Sequence, residues 1–497
     1  MSSPPPLAGG AHGPDALRPL LAATLDALRD GAAARGGPLP AGGPRAVTDR
    51  VRAAAEPLLP ERGAGPETAL RTLVRALAEG AADPAEPLCA AHLHCPPLAV
   101  AVAADLAASA LNPSMDSWDQ APAASTLEAL VTDAIAAEIY GGAGAEGAAE
   151  AWFGAASGAG PSGGADALVT TGGTESNQLA LLLAREAAAT QGPVRLVVGA
   201  NAHHSLARAA WLLGLPAPVI VPTPTGTLDP TALAETLTDL RDAHKGTQTH
   251  TQARTLLVAA TAGTTDAGLI DSLDDIADLC ATHGARLHID AAYGAGLLFS
   301  DVRKRLLHGI ERADTVTLDL HKLGWQPAAA GLLAIRDPRD LAALTHHAAY
   351  LNADDDTDAG LPDLLGRSLR TTRRPDVLKI AVTLKALGRK GLGALVDQVC
   401  DHARHFADLI EAHPHFELYD APTISTVLFR PVDADDTDIA HLRRHLLTEG
   451  TAVLGRADLH GRRWLKATLL NPHTRPQDLA GLLTLTTPHP PKGPTPR

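Results

Sequence analysis

From Ala167 to Ile335 the chain alternates short β-rich apolar runs with helix-length segments, and this alternation restricts the fold more than any other feature. The runs are ALVTT, RLVVGA, APVIVP, RTLLVAATA, ARLHIDAA, TVTLDL and GLLAI. Apolar, β-branched runs bounded by turn residues read as strands. Strands separated by helices pair in parallel rather than as hairpins. The expected fold class is therefore α/β, with a mostly parallel sheet covered by helices on both faces. In such sheets ligands bind outside the carboxyl ends of the strands, so functional residues are sought where these runs stop.

The flanks read differently. Between residues 15 and 80 lie helical patterns such as ALRPLLAATLDALRDGAAA and ETALRTLVRALAEGAA, broken by Pro-rich loops. Helices this short need a surface to pack on, which a larger body or a second subunit supplies. Two more helical stretches lie between Ala90 and Gly141, separated by the polar loop Asn112–Gln120. Beyond Pro375 a long helical stretch leads to strand-like ISTVLFRPV, a helix, AVLGRADL and WLKATLLNP, a small α+β pattern. The expected organisation is an N-terminal helical arm at 1–90, a large α/β domain at 91–375 and a small C-terminal α+β domain at 376–497. The first residues, to about 14, and the Pro-rich C-terminal tail read as flexible.

Composition narrows the function. A net charge of −14 argues against a nucleic-acid partner and favours cationic small molecules. Cys89, Cys95, Cys280 and Cys400 form no CxxC pair, so neither a metal site nor a disulfide framework is expected. The start, MSSPPPLAGGAHG, lacks the basic and apolar regions of a signal peptide. No apolar run reaches the ~18 residues of a membrane span. A cytoplasmic enzyme with a small-molecule substrate, and neither nucleic acid nor membrane as partner, is the plain expectation.

Each strand end carries a candidate. After ALVTT comes Gly172-Gly173-Thr174-Glu175-Ser176-Asn177, which opens a helix. A glycine turn there aims backbone N–H groups at an anion, although such turns are also common without a ligand. After RLVVGA comes His203-His204-Ser205; His203 reads either as a satisfied surface residue or as a ring lying on an aromatic cofactor. Thr265 follows the fourth run, where its hydroxyl could serve a ligand or the loop backbone. Asp290 ends the fifth run, and a carboxylate there needs a partner, either an arginine or a cationic ring nitrogen. Finally TVTLDL runs into His321-Lys322. Of eight lysines, Lys322 alone reads as following a strand, and desolvation there would suit an amine that attacks an aldehyde. Taken together, a phosphate cradle, a carboxylate for a pyridine nitrogen and a lysine are what pyridoxal 5'-phosphate requires.

On these residues the chain resembles the group II pyridoxal-phosphate-dependent decarboxylases over His92 to Asn471, and within them the diaminobutyrate and siderophore-pathway lysine/ornithine branch. AHLHCPP, NPSMDSWDQ, TGGTESNQLALLLAR, HIDAAYGAG, DLHKLGWQP, YLN, SLRTTRRPDVLK and LKATLLNP carry the likeness. The resemblance implies fold type I and a homodimer with shared active sites. It implies that Lys322 captures the cofactor aldehyde, Asp290 pairs with the ring nitrogen and His203 stacks on the ring. Gly173 and Thr174 would sit at the phosphate with His321 behind it, and Thr265 beside the ring. Tyr350 falls where relatives carry a loop tyrosine that returns a proton to the α-carbon. The implied reaction converts an L-amino acid to its amine and CO2, with 2,4-diaminobutyrate, lysine or ornithine as substrate. An aromatic amino acid is the alternative substrate, and an aminotransferase the alternative reaction on the same fold.

For the substrate side the candidates are His94, His204 and Asp119, with Asp116 nearby, and loop capping is the competing reading of both aspartates. Asp319 stands where the aromatic branch has Asn, so its charge requires compensation. The stretch HHAAYLNADDDTDAG at 346–360 is acidic, either as a solvated loop or as a cation-attracting lid.

Overall fold

The computed structural model of the chain describes residues 4–141, 164–189, 192–245, 255–346, 355, 359–362 and 364–487. Two compact units result, one made of residues 97–397 and the other of residues 1–96 with 398–497. The boundaries expected from pattern alone fell instead at 90 and 375.

The first unit is built on a seven-stranded sheet: β1 (Asp166–Thr170), β2 (Val194–Gly199), β3 (Val219–Val221), β4 (Thr255–Thr261), β5 (Arg286–Asp290), β6 (Thr315–Asp319) and β7 (Gly331–Ile335). The strand order is β1-β7-β6-β5-β4-β2-β3. β2, β3, β4, β5 and β6 pair in parallel. β7 runs antiparallel to both of its neighbours, β1 and β6. Two reversals restore the direction, so β1 and β6 point the same way and all the carboxyl ends except that of β7 share one edge. Apart from the edge strand β3, the sheet is buried on both faces, as runs such as TLLVAAT in β4 require.

β6 alternates hydroxyl and apolar residues, yet every position in it is buried. Its threonines therefore need partners, and both find them: Thr315 Oγ1 meets His288 Nδ1 at 2.9 Å, and Thr317 donates to Asn177 at 2.9 Å.

Between β5 and β6, where an α-helix was expected, the chain instead makes three short 3₁₀ turns, Gly294–Phe299, Lys304–Leu307 and Ile310–Arg312. Glycine weakens a helix, and here close approach demands it. A Cβ on Gly294 would lie 2.4 Å from Ala262 O, and one on Gly296 would lie 2.3 Å from Leu323 Cβ.

Helices α4 (Ala99–Leu111) and α5 (Pro122–Tyr140) precede the sheet and flank the polar loop as the pattern predicts. The helices within the sheet region are α6 (Gly173–Ala187), α7 (His204–Leu212), α8 (Pro230–Lys245) and α9 (Leu273–His283). Glu128 of α5 and Arg373 are 1% and 2% exposed and form a two-pronged ion pair at 2.8 and 2.8 Å. The Arg373 carbonyl in turn accepts from Met115 N–H at 2.9 Å, which ties the 112–120 loop to this pair.

The second unit holds helices α1 (Gly13–Arg35), α2 (Gly43–Ala55) and α3 (Pro66–Gly80) from the N-terminal segment. α1 and α3 approach closely at Gly31, where a Cβ would stand 2.5 Å from Arg75 O. The C-terminal part carries an antiparallel sheet of order β10-β11-β9-β8, from β8 (Phe416–Leu418), β9 (Thr426–Pro431), β10 (Gly455–Leu459) and β11 (Arg462–Thr468). Around Phe406, Val427, Phe429 and Leu465 the side chains of this sheet form one apolar cluster. Helix α10 (Val377–Glu411) turns at Gly388 (φ 62°) and spans the unit boundary. α11 (Asp436–Glu449) and α12 (Pro476–Thr486) complete this unit. Among the described residues no helix is long and apolar enough to cross a membrane.

Removing one partner of a buried ion pair strands the other's charge, at about 3–5 kcal/mol. Glu128→Ala is therefore expected to lower the urea unfolding free energy by roughly that amount, and Glu128→Leu with Arg373→Met to recover most of it. An unchanged midpoint for Glu128→Ala would contradict this role.

Candidate active site

The carboxyl edge of the sheet gathers the site. β6 ends at Asp319, whose side chain is 3% exposed. Its Oδ2 lies 2.9 Å from Lys322 Nζ and 3.5 Å from His321 Nε2, so the charge that required compensation meets a lysine. Asp319 Oδ1 is buried and has no hydrogen-bond partner among the described residues. His321 Nδ1 accepts from Ala330 N–H at 3.3 Å, which leaves the ring proton on Nε2, the nitrogen facing Asp319. Burial lowers the His321 pKa, opposed by Asp319 and assisted by Lys322.

Lys322 is not the desolvated lysine that the sequence suggested. Its side chain is 19% exposed and ion-paired, whereas Lys379 is fully buried between Asp105 (3.2 Å) and Asp376 (3.1 Å). Lys466 too is buried, within β11. Neighbouring carboxylates and stem burial decide these positions, and a single sequence does not display them.

The glycine turn meets this corner. A Cβ on Gly172 would lie 2.9 Å from His321 Cε1, and one on Gly173 would lie 3.0 Å from Ala292 Cβ and 3.2 Å from Asp319 Oδ2. Gly172 has φ 147°, a conformation that L side chains avoid, and no side chain caps the α6 start that follows. Thr171 N–H and hydroxyl both bond Glu175 Oε2 at 2.6 Å, and Arg370 pairs with that carboxylate at 3.3 Å. An uncapped helix start walled by His321 is a ready anion site.

Asp290 ends β5 and is buried. Its partners are not arginines. Oδ2 accepts from Asn177 Nδ2 at 2.8 Å and Oδ1 from Ala292 N–H at 3.1 Å. Asn177 also donates to Ser205 Oγ at 2.8 Å, and Ser205 Oγ lies 2.7 Å from His203 Nδ1. Burial lowers the His203 pKa, so the ring is neutral at physiological pH. His288 joins the same cluster, 3.0 Å from Asn177 Oδ1.

The expected substrate-side residues are dispersed. His204 is exposed, with its ring centroid 4.1 Å from that of His203. Thr174 and Thr265 are exposed at the starts of α6 and of the loop after β4. Asp119 is exposed and accepts from Ser117 Oγ at 2.5 Å, while Gln120 donates to Asp116 at 2.7 Å, so both aspartates satisfy their own loop. His94 is exposed and belongs to the other unit. Tyr350 and the acidic stretch, apart from Asp355, lie outside the described residues. No group of three or more His, Cys, Asp or Glu gathers at metal-binding spacing among the described residues.

Sequence reasoning missed Asn177, Ser205, His288 and Thr317. The first three sat inside motifs already quoted, but interior helix and strand positions gave no sign of which way they faced. Pyridoxal phosphate fits what is present: an uncapped glycine helix start for its phosphate, an amine in Lys322 for its aldehyde, and in Asp290 a buried carboxylate with lone pairs to spare.

Burial holds the His288 pKa far below that of a free imidazole, partly opposed by Asp290. The unfolded chain therefore takes up this proton first. The stability His288 contributes is fully present above about pH 6.5 and is lost as pH falls below it, with a slope of at most ~1.4 kcal/mol per pH unit. Urea unfolding from pH 7.5 down to 5 should show a flatter slope in His288→Asn than in wild type, and equal slopes would overturn the assignment.

Residues 52–432 match the family model described as the pyridoxal-dependent decarboxylase conserved domain. An L-2,4-diaminobutyrate decarboxylase of Rhizobium meliloti (strain 1021) is 39% identical over 433 residues, covering 84% of this chain and 81% of the relative. Another, from Acinetobacter baumannii, is 30% identical over 454 residues, with 85% and 84% covered. Among solved structures, the glutamate decarboxylase domain of a diaminobutyrate-pyruvate transaminase and L-2,4-diaminobutyrate decarboxylase from Vibrio parahaemolyticus matches with a TM-score of 0.81 at 31% identity. That match covers 97% of this chain and 96% of the other. With these strand-end residues and a family match over most of its length, the chain belongs to the pyridoxal-dependent decarboxylase family and is a lyase that removes CO2 from an amino acid with pyridoxal phosphate as cofactor.

Proposed function

We propose that this decarboxylase acts on L-2,4-diaminobutyrate, with Lys322 and Asp290 as the two residues that hold the reactive part of its cofactor. One observation carries the residue roles: Asp290 ends β5 and Lys322 follows β6, the adjacent parallel strand, beside the uncapped start of α6. The substrate reading rests on the names of relatives at 39% and 30% identity and on the chain's net negative charge, which suits a cationic amino acid.

Pyridoxal phosphate supplies, when bound, a protonated ring that accepts the electrons left behind as CO2 departs. The chain's own residues serve that chemistry. Lys322 would hold the cofactor through its aldehyde, a carbon that an amine bonds reversibly. Asp290 remains a proton acceptor because both of its neighbours donate to it. Neutral His203 covers a ring face. Gly173, Thr174 and the start of α6 take the phosphate, with His321 behind it, and Thr265 lines the ring edge. Tyr350 returns the proton to the α-carbon. On the substrate side, Asp119 would exchange its Ser117 bond for the second ammonium, with His204 as a further candidate. The enzyme works in the cytoplasm as a homodimer with shared active sites.

CO2 release should be measured against diaminobutyrate, ornithine, lysine, tyrosine, tryptophan and glutamate. Diaminobutyrate is expected to give the highest kcat/KM, and an advantage of about tenfold (1.4 kcal/mol) for any other amino acid would overturn the substrate. In the same assay Lys322→Ala should release no CO2 above background, and Asp290→Ala should keep some cofactor while losing most of its rate. Wild-type turnover by either variant would remove that residue from its role.

A further inference from the structure

We infer that Asn177 is a positioning residue: its single side-chain amide holds Asp290 as a proton acceptor and, through Ser205, fixes the tautomer of His203. The inference rests on the roles proposed above for Asp290 and His203.

A primary amide offers two N–H donors and an oxygen with two lone pairs. Asn177 is fully buried and uses all four. Nδ2 donates to Asp290 Oδ2 and to Ser205 Oγ, both at 2.8 Å. Oδ1 receives Thr317 Oγ1 at 2.9 Å and faces His288 Nε2 at 3.0 Å. A carboxylate offers no proton, so the amide nitrogen has to face Asp290, and the flipped orientation is excluded.

The rest follows by elimination. Because Asn177 Oδ1 only accepts, His288 carries its proton on Nε2 and leaves Nδ1 to accept from the Thr315 hydroxyl, 2.9 Å away. The Ser205 N–H makes His203 Nδ1 an acceptor, so the Ser205 hydroxyl, which takes the Asn177 N–H on its oxygen, donates its proton to that nitrogen at 2.7 Å. Ser205 N–H approaches the same nitrogen at 3.3 Å. His203 Nδ1 thus faces two donors, and its proton lies on Nε2. Asp290 likewise faces two donors, Asn177 and the Ala292 N–H. A proton shared between Asp290 and a ring nitrogen is therefore drawn toward the nitrogen, where an electron sink requires it. One amide couples the residue at the ring's nitrogen to the residue at its face.

The test uses the full chain, freed of cofactor and then titrated with pyridoxal phosphate. Asn177→Asp keeps the side chain's size but sets a carboxylate against Asp290 and reverses the Ser205 hydroxyl. It is expected to weaken cofactor binding by about tenfold or more, to make the cofactor's absorbance band depend on pH near neutrality, and to move the His203 side-chain nitrogen resonances off the Nε2–H pattern. Those resonances are recorded before cofactor is added and assigned with His203→Gln. Ser205→Ala keeps the Asp290 contact and the 3.3 Å backbone N–H but removes the 2.7 Å hydroxyl donor, so it should move the His203 nitrogen resonances toward a mixture of tautomers. A purely structural residue would lower the melting temperature without moving either spectrum.

The inference is overturned if Asn177→Asp binds cofactor within about twofold of wild type with an unshifted band. It is also overturned if Ser205→Ala, which decides alone should the first variant not fold, leaves the His203 pattern unchanged. If the wild-type chain shows the Nε2–H pattern but borohydride fixes no cofactor on Lys322, the roles proposed for the site fall and the relay stands.

Discussion

The site depends on two antiparallel pairings that cancel. β7 lies between β1 and β6 and opposes both, so the strand that begins the sheet region and the strand that ends in the lysine turn run the same way. A single reversal between them would set the glycine turn after β1 and Lys322 after β6 on opposite edges. β7 also begins at Gly331, where a Cβ would stand 2.4 Å from the Gly172 Cα, so the strand that sets the direction also props up the phosphate turn.

Charge is distributed across the site by a consistent rule. Each buried carboxylate faces donors: Asp319 has Lys322 and His321, and Asp290 has an amide and a backbone N–H. Each histidine in the cluster has a lowered pKa through burial. Burial thus disfavours the charged form of each of these three rings.

The strand-end residues were legible in the sequence because period and position mark them. Asp290, His203, the glycine turn and Lys322 each interrupt an apolar run at a point where backbone leaves the sheet. What stayed hidden has physical reasons. Asn177 lies one turn into a helix and His288 midway along a strand, and only the packing of α6 across β5 and β6 turns these side chains toward each other. The direction of β7 is equally silent, since a buried strand has the same composition whichever way it runs. The segment of the three 3₁₀ turns after β5 reads as a helix in the sequence because close backbone approach at Gly294 and Gly296 involves residues far away in sequence. Asp116 and Asp119 illustrate the remaining difficulty: an acidic loop that satisfies itself and one that awaits a cation have the same residues.

The backbone that carries Lys322 is fixed at several points. Leu320 N–H bonds Ala330 O, Gln326 N–H bonds Leu320 O, Lys322 N–H bonds Asp319 O, and His321 takes the Ala330 N–H. Trp325, buried at φ 52°, closes the turn and accepts from Leu98 N–H. The lysine is thus a supple tether on a stiff anchor. In the role proposed for Lys322, exchange between cofactor and free amine would draw on the rotamer freedom of one four-carbon stem, worth about 2 kcal/mol, rather than on rearrangement of a loop, so each cycle would end with the fold as it began.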